Sequence, residues 1–266
     1  MSRRRGFSLV EALVALTMSG VLLAASGGAL LATLRRSSAQ RARRLAWHNV
    51  RAAATVLAAE LRDISPGEGD ILSAPDTAVT LRAIRAFSIV CEVRPPDAVV
   101  VADSLTYALR ALDPSRDSVL LYKEGDPLRS DDDAWVSAGA VAAAADRCPG
   151  GSAGTRVTLR GADVSALGAG APLRTFEILD YRLYRDAAGD WWLGVRGPDP
   201  PGWAATSPIA GPLSARVGLG IRLLGADGLA APAGSARIVE VTVRGAPGPR
   251  GAPADTALAR LPFRND

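Results

Sequence analysis

Few residues in this chain could do chemistry, and those few are widely spaced. His48 is the one histidine among 266 residues, and the two cysteines, Cys91 and Cys148, are far from it in sequence. A nucleophilic triad needs a histidine in a cleft, and a zinc site needs several sulfur or nitrogen ligands. No glycine-rich loop follows a strand and opens a helix, as nucleotide phosphates require. The sequence therefore predicts no enzyme and no cofactor, and it places His48 on a helix, facing solvent or the rest of the protein.

An acidic run is the remaining candidate for a metal. The segment SDDDAW, residues 130–135, contains Asp131, Asp132 and Asp133 in succession. Carboxylate oxygens are suitable ligands for calcium. A solvated loop or a helix cap uses the same residues and is the favoured interpretation, so no metal is predicted and calcium is kept as the alternative.

The two cysteines are an even number, which is compatible with one disulfide in an exported domain. A Cys91–Cys148 bond would close a loop of about 58 residues and stabilise the fold by about 4 kcal/mol in the chain-entropy model. The alternative is two unrelated buried thiols. The disulfide is favoured if the domain lies outside the cytoplasm.

Three of the tryptophans stand near turns rich in proline and glycine. Trp191 and Trp192 are adjacent, so on a strand they would point to opposite faces, one toward the core and one outward. An outward tryptophan, there or at Trp203, could contact another protein. Packing in the core or at a sheet edge is the favoured role.

The positive charge of the chain is concentrated at its N-terminal end. The whole chain has a net charge of +4. Residues 1–64 carry a net charge of about +7, so residues 65–266 carry about −3. The larger part is therefore slightly acidic and shows no basic patch with interleaved aromatic residues. Nucleic acid is an improbable partner on this pattern.

The elements that must position these residues begin with a long apolar segment. From Phe7 to Leu34 the single charged residue is Glu11, and the segment is long enough to cross a bilayer. It is too long for the apolar core of a signal peptide and lacks a clear cleavage site behind it, so a retained transmembrane helix is predicted. Within it, Gly20, Ala24 and Gly28 recur every four residues. That spacing either permits close helix packing or only reflects an alanine-rich composition.

Arginines flank both ends of this segment, so charge alone does not predict that the domain behind it lies outside the cytoplasm. Residues 3–5 are three arginines, whereas residues 35–44 contain five. A simple count of nearby basic residues would place the second cluster, and the domain behind it, on the cytoplasmic side.

The helical pattern continues from residue 35 to residue 64 with an apolar stripe on one face. The stripe consists of Val50, Ala53, Ala54, Leu57, Leu61 and Ile64. Its spacing is typical of a helix that packs on another layer, so one helix of about 55 residues is predicted to leave the membrane and dock on a domain. The motif SPGEGD, residues 65–70, is expected to end it.

The remainder of the chain has the texture of an antiparallel β domain, so the fold class is α+β. Short alternating runs predict strands at 87–93, 103–109, 118–124, 155–161, 175–185, 191–197, 215–225 and 236–245. The motif RDAAGD predicts a hairpin, and GADG predicts another turn. Residues 137–146 suggest a short helix, and residues 198–212 and 246–256 suggest mobile loops.

The start of the chain, RRRGFSLVEALVAL, resembles the prepilin motif of type IV pilins and type II secretion pseudopilins. A short basic leader ends in Gly6, Phe7 follows, and Glu11 is the fifth residue of the chain that cleavage would leave. The resemblance implies a leader at 1–6, an assembly helix at 7–34, its amphipathic continuation at 35–64 and a β-rich head at 65–266. Toward the C-terminus the chain loosely resembles large minor pilins of the PilW kind and J-type minor pseudopilins.

That resemblance carries implications for processing and orientation. A prepilin peptidase would cut after Gly6 and methylate the amine of Phe7, which keeps the leader cytoplasmic and the head outside. Glu11 would then pair with the N-terminal amine of a neighbouring subunit. The alternative is a carboxylate near the headgroups that only reaches out to water. A carboxylate in the bilayer costs a few kcal/mol unless it is paired.

The expected function is therefore assembly. The chain would be a minor pilin or minor pseudopilin in the inner membrane that joins other pilins and primes or caps a filament. Two alternatives stay open: a J-type pseudopilin at the tip of a secretion pseudopilus, and a tip adhesin or DNA-uptake subunit whose head binds a ligand.

Overall fold

One continuous helix dominates the N-terminal quarter of the protein. The structure is a computed structural model that describes residues 8–126, 128–129, 131–247 and 254–263, so Gly6 and Phe7 lie outside the described residues. Helix α1, Leu9–Arg62, has 54 residues, close to the predicted 55. At 1.5 Å per residue it is about 80 Å long.

The C-terminal part of α1 is held by the apolar stripe that the sequence predicts. Val50, Ala53, Leu57, Leu61 and Ile64 are each at most 1% exposed. Because these residues recur every three or four positions, they form one face that packs on the head. The prediction of an amphipathic segment docked on a β domain is confirmed.

The turn after α1 is built from a short-range hydrogen-bond network. The backbone N–H of Ser65 donates to Oδ2 of Asp70 at 2.8 Å, and Pro66–Glu68 form one 3₁₀ turn. Gly69 has φ of 80°, a left-handed conformation that glycine adopts without strain. The predicted stop signal is confirmed, and the buried Asp70 carboxylate fixes the direction in which the chain enters the sheet.

The head is antiparallel throughout, as predicted. Across the described residues its strands are β1 Ile71–Ser73, β2 Ala78–Arg94, β3 Ala98–Ala102, β4 Tyr107–Ala108, β5 Asp117–Lys123, β6 Ala134–Arg147, β7 Ala153–Arg160, β8 Pro172–Arg185, β9 Trp191–Arg196, β10 Pro198–Asp199, β11 Gly202–Trp203, β12 Ser207–Leu213, β13 Leu219–Leu224, β14 Ile238–Arg244 and β15 Thr256–Pro262. Short 3₁₀ turns also occur at Asp103–Leu105 and Ala233–Ser235.

The large sheet closes on itself through its two longest neighbouring strands. Its order is β1-β2-β3-β7-β6-β5-β8-β9-β12, and β2 also pairs with β8 from Ala78↔Arg182 to Ile89↔Pro172. The six strands β2, β3, β7, β6, β5 and β8 therefore form a closed ring. Strands β13, β14 and β15 form a separate three-stranded sheet.

The head has two main apolar cores. The ring encloses a cluster to which all six of its strands contribute: Val90, Val99, Val101, Val119, Leu121, Ala138, Val157, Leu159 and Leu173. The other core joins the stripe of α1 to the beginning of β2, the end of β8, strands β9 and β12, and the three-stranded sheet. We call the part of the head around this second core the helix-docked half. Strands β2 and β8 run through both this half and the ring and therefore link them.

The predicted helix at residues 137–146 is wrong, because these residues belong to β6. Ala134–Gly139 pair with β5, and Gly139–Arg147 pair with β7. Alanine favours helices, but that preference is weak and tertiary hydrogen bonding overrides it here.

The first predicted mobile loop, residues 198–212, contains strands instead, whereas most of the second, residues 246–256, lies outside the described residues. The first region holds β10, β11 and most of β12, and β12 pairs with β9, with register shifts around its prolines. A proline is tolerated there because β12 is the last strand of its sheet path. Of the second region, residues 248–253 lie outside the described residues, and β15 begins at Thr256 and pairs with β14 over seven residues. Residues 103–109, predicted as one strand, hold a 3₁₀ turn followed by the two-residue β4.

The two predicted turns and the disulfide are confirmed. The hairpin between β8 and β9 closes with the Asp186 N–H donating to the Asp190 carbonyl at 2.9 Å, and Gly225 N–H donates to the Leu229 carbonyl in the GADG turn at 2.8 Å. Cys91 and Cys148 are bonded, with Cα atoms 5.6 Å apart. The bond packs on Val100 and Ala102, a third small apolar cluster of the head.

Candidate functional site

The N-terminal half of α1 is apolar and entirely exposed. Its large side chains include Leu16 and Leu23, each 74% exposed, and the stretch with membrane-like composition has no buried residue. Residues 9–34 extend about 39 Å, more than the roughly 30 Å of a bilayer hydrocarbon core. By length and composition this helix could cross a membrane. An apolar surface of this size requires lipid or another protein to cover it.

Glu11 lies at the start of this exposed half and takes part in a capping box. The Ser8 N–H donates to Oε2 of Glu11 at 3.0 Å, and the Glu11 N–H donates to Oγ of Ser8 at 3.4 Å. Each side chain thus satisfies a backbone donor that the first turn of a helix leaves without a partner. A carboxylate is also favourable beside the positive end of the helix dipole. Glu11 therefore has a local structural role that the sequence analysis did not identify.

The small residues of the apolar half leave one strip of the helix without bulk. A Cβ atom placed on Gly20 or Gly28 would meet no atom within 4 Å beyond its chain neighbours and the adjacent backbone of its own helix, and Ala24 between them is exposed. The strip is open to the approach of a neighbouring helix.

Between the apolar half and the docked half lies a basic segment, residues 35–47, which we call the arginine stem. It carries Arg35, Arg36, Arg41, Arg43 and Arg44 and contains no acidic residue. All five arginines are exposed. None of them forms an ion pair with another described residue.

His48 follows the arginine stem and faces solvent, as one of the predicted alternatives required. Its ring lies 5.2 Å from the ring of Trp47 in an edge-on arrangement. The guanidinium of Arg51 stacks over the Trp47 ring, 4.6 Å from the ring centroid. His48 thus belongs to an exposed aromatic and basic surface.

The docked half of α1 is joined to the head by a mixed-charge cluster centred on Arg85 of β2. Arg85 donates from Nη1 to Oε2 of Glu60 on α1 at 3.0 Å and from Nε to the carboxylate of Glu177 on β8. Arg110 extends the cluster, donating to Asp117 and lying 3.4 Å from Glu177. Three basic and four acidic residues take part: Arg85, Arg110, Arg116, Glu60, Asp113, Asp117 and Glu177.

The surroundings of Arg85 favour its charged form. Burial opposes the charge on Arg85, but hydrogen bonds to Glu60 and Glu177 outweigh it and raise the arginine pKa. Nearby, burial raises the pKa of the Tyr181 hydroxyl, and the Glu60 carboxylate adds to the effect. Residues so distant in sequence gave no signal that they would meet.

The three aspartates of the acidic run do not converge. Asp131 pairs with Arg129, Asp132 accepts from the Asp126 N–H, and Asp133 accepts from the Tyr122 hydroxyl at 2.6 Å. The described part of the chain contains no group of three or more His, Cys, Asp or Glu residues that could hold a metal ion. The favoured interpretation, a loop, matches these local contacts.

The two tryptophans of β9 are half-buried, and Trp203 of β11 is exposed. The half-buried positions of Trp191 and Trp192 fit the favoured packing role and not the alternative of one core ring and one exposed ring. Trp192 donates from its indole N–H to Oδ2 of Asp186 at 2.8 Å. Trp203 is 39% exposed and lies beneath the guanidinium of Arg196, 4.9 Å from its ring centroid.

Comparison with known proteins identifies the N-terminal segment. Residues 1–27 match the family model described as the prokaryotic N-terminal methylation motif. No curated protein and no solved structure matches the chain. Together with the long apolar helix, the motif supports the type IV pilin-like family and does not distinguish its subtypes.

The match has general consequences for the class. This motif implies processing by a prepilin peptidase and assembly with other pilin-type subunits, and the apolar helix fits membrane anchoring. It also indicates a structural protein in place of an enzyme. The β-rich head behind a single long helix is the architecture that the resemblance led us to expect.

Proposed function

We propose that this protein is a minor pilin or minor pseudopilin that assembles into a type IV pilus-type filament and primes or caps it. The observation that carries the proposal is the apolar half of α1, wholly exposed behind a methylation motif, with Glu11 as its single charge. In this role the apolar half first lies in the inner membrane and then packs among the helices of other subunits. The head remains outside the cytoplasm.

The disulfide supports the proposed orientation. Cys91 and Cys148 are bonded in the head, and disulfides persist in the periplasm but are rare in the cytoplasm. This favours a cytoplasmic leader and an exported head, although more arginines follow the apolar segment than precede it. The slightly acidic head also favours protein partners over DNA.

The proposed processing is tested at the N-terminus. The chain purified from cells that possess a prepilin peptidase should begin at Phe7 with a methylated amine, and Gly6→Ala should retain the leader. A wild-type chain that starts at Met1 or Ser2 in those cells would contradict the proposal.

Glu11 permits a second test that separates assembly from helix capping. Glu11→Gln can keep the capping hydrogen bond, because glutamine serves at this position of a capping box, but it removes the charge. Ser8→Ala removes the hydroxyl acceptor and keeps the charge. If Glu11 pairs with a neighbouring amine, Glu11→Gln should reduce incorporation into filaments about tenfold, and Ser8→Ala should have a much smaller effect. Equal effects of the two variants would contradict the pairing role.

A further inference from the structure

We infer that the arginine stem, residues 35–47, is a docking surface for an acidic segment of the N-terminal helix of a different subunit, and that it resists side-by-side packing with a second copy of this chain. This inference rests on the proposed function, because it states which neighbour a filament would have to supply.

The stem is accessible because it lies between the two halves of α1 that have other roles. It begins where the apolar half ends, and the first residue of α1 that the head buries completely is Val50. Within the stem, Ser37 and Ala46 are half-buried and the other residues are exposed. At 1.5 Å per residue, about 20 Å of helix surface is open on most sides.

The arginines of the stem point in several directions around the helix, so the stem is positively charged on several faces. Successive residues turn by about 100° around a helix, so Arg36 and Arg43 share a face, whereas Arg41 and Arg44 point to others. Asp255 lines the same shallow cleft as Arg43 and Arg44. It forms no ion pair with either arginine. The acidic residue that shares this cleft therefore does not neutralise the stem.

The stem extends beyond the lipid headgroup layer, so headgroups cannot pair with all of its arginines. Arg41 and Arg44 lie about 10 and 15 Å along the axis beyond Leu34, the last residue of the apolar half. The headgroup layer adds only about 5 to 8 Å on each side of the hydrocarbon core. Arg35 and Arg36 can reach phosphates, but the later arginines extend beyond them into the zone where neighbouring subunits pack.

A copy of the same chain is an unfavourable neighbour in that zone. Packed helices lie about 8–10 Å apart, close to the screening length of roughly 8 Å at physiological ionic strength. Two stems at that distance would set five arginines against five, with no acidic residue in either stem. A helix that carries aspartate or glutamate at the same height removes the repulsion and pairs the guanidinium groups.

The test is site-specific crosslinking of the full-length chain in cells that make other prepilin-type proteins. A photoreactive residue replaces Gln40 in the stem, and in a parallel strain it replaces Leu22 in the apolar half. Arg44→Glu is introduced into the Gln40 reporter, with Arg62→Glu as the matched control, since it changes the same charge on the same helix below the stem. Mass spectrometry identifies the crosslinked peptide.

The expected product at Gln40 is the helix of a different prepilin-type subunit with Asp or Glu in the linked segment. Arg44→Glu should lower its yield roughly threefold to tenfold, Arg62→Glu should not, and an acid-to-arginine change in the partner should restore it. The inference is overturned if the main crosslinks at Gln40 are to another copy of this chain or to phospholipid. It is also overturned if the yield does not respond to Arg44→Glu. If pilin-type subunits crosslink at Leu22 but not at Gln40, the inference about the stem fails and the proposed function stands. If they crosslink at neither position, both the inference and the proposed function fail.

Discussion

Arg85 of β2 and Glu60 of α1 are paired across the boundary between helix and head, with Nη1 and Oε2 3.0 Å apart. The same guanidinium bonds Glu177 on β8, so one side chain connects the helix to both strands that run through the two cores. The side chains of Glu60 and Glu177 are only 20% and 11% exposed, respectively. This contact fixes how the long helix presents the head.

Removing Arg85 should therefore destabilise the protein substantially. Arg85→Met retains much of the side-chain length but leaves two carboxylates with little solvent. We expect a loss of about 3 kcal/mol, since breaking one partner of a buried pair costs roughly that much. Urea unfolding of the full-length chain in detergent measures it. Arg222→Met is the control, because Arg222 is 65% exposed beside Glu240 and should cost less than about 1 kcal/mol. Similar losses in both variants would refute this role of Arg85.

The two halves of α1 should respond differently to the same substitution. Leu57 is fully buried against the head, whereas Leu45 in the arginine stem is 63% exposed. Leu57→Ala should lower the free energy of unfolding by about 3 kcal/mol through the cavity that it leaves. Leu45→Ala should change it by less than about 0.5 kcal/mol, because leucine and alanine both favour helices. Thermal or urea unfolding compares them, and equal effects would mean that the docked stripe is misplaced.

The buried Asp70 should make stability depend on pH in a specific direction. Burial is the main cause that raises the pKa of the Asp70 carboxyl above its ordinary value, although the Ser65 N–H lowers it. A carboxyl with a raised pKa holds its proton more tightly in the folded chain. Its stabilising contribution is therefore complete below the pKa of the unfolded chain and is lost as pH rises through the folded value.

Asp70→Asn isolates this effect, because asparagine does not titrate and its amide oxygen can still accept from Ser65. The stability of the variant relative to wild type should increase as pH rises from about 4 to about 7. Urea unfolding across that range measures the difference, in which the other acidic groups cancel. A difference that grows toward low pH instead would show that the folded protein favours the charged carboxylate.

The disulfide should stabilise the ring more than the helix-docked half. Cys91 and Cys148 are 57 residues apart in sequence, and their bond packs on β3. The Cys91→Ala, Cys148→Ala double variant should lose about 4 kcal/mol or less. Hydrogen exchange should increase first in β3 and β7. A reducing agent should destabilise wild type and leave the double variant unchanged, and a wild type indifferent to reduction would rule out this contribution.

Local patterns in the sequence predict the parts of this fold that depend on local physics. The helix of about 54 residues, its buried stripe and its stop at residues 65–70 all follow from spacing and turn chemistry. The hairpin at RDAAGD does so as well. The predicted helix at residues 137–146 is wrong because an alanine-rich sequence favours a helix only in isolation. Pairing with β5 and β7 makes these residues a strand.

The candidate site divides in the same way. The motif around Gly6, Phe7 and Glu11 can be recognised from sequence, since the spacing of a basic leader, a glycine and one carboxylate is a local signal. The Arg85 cluster has no such signal, because its members come from one helix and several strands. The availability of the arginine stem likewise depends on where the head begins to cover the helix, at Val50.

The sequence by itself thus determined the class of N-terminus, the length and polarity of α1 and the antiparallel character of the head. These depend on residues within about one helical turn or one hairpin of each other. Only the tertiary structure decided that β2 and β8 close the ring, that Arg85 joins α1 to that ring, and which stretch of α1 stays uncovered. Such features arise from contacts between residues 25 positions apart, as in the pair of Arg85 with Glu60, to 100 positions apart, as in the pairing of Thr80 with Asp180. No local pattern encodes these contacts, which must offset the entropy lost when the intervening loops close.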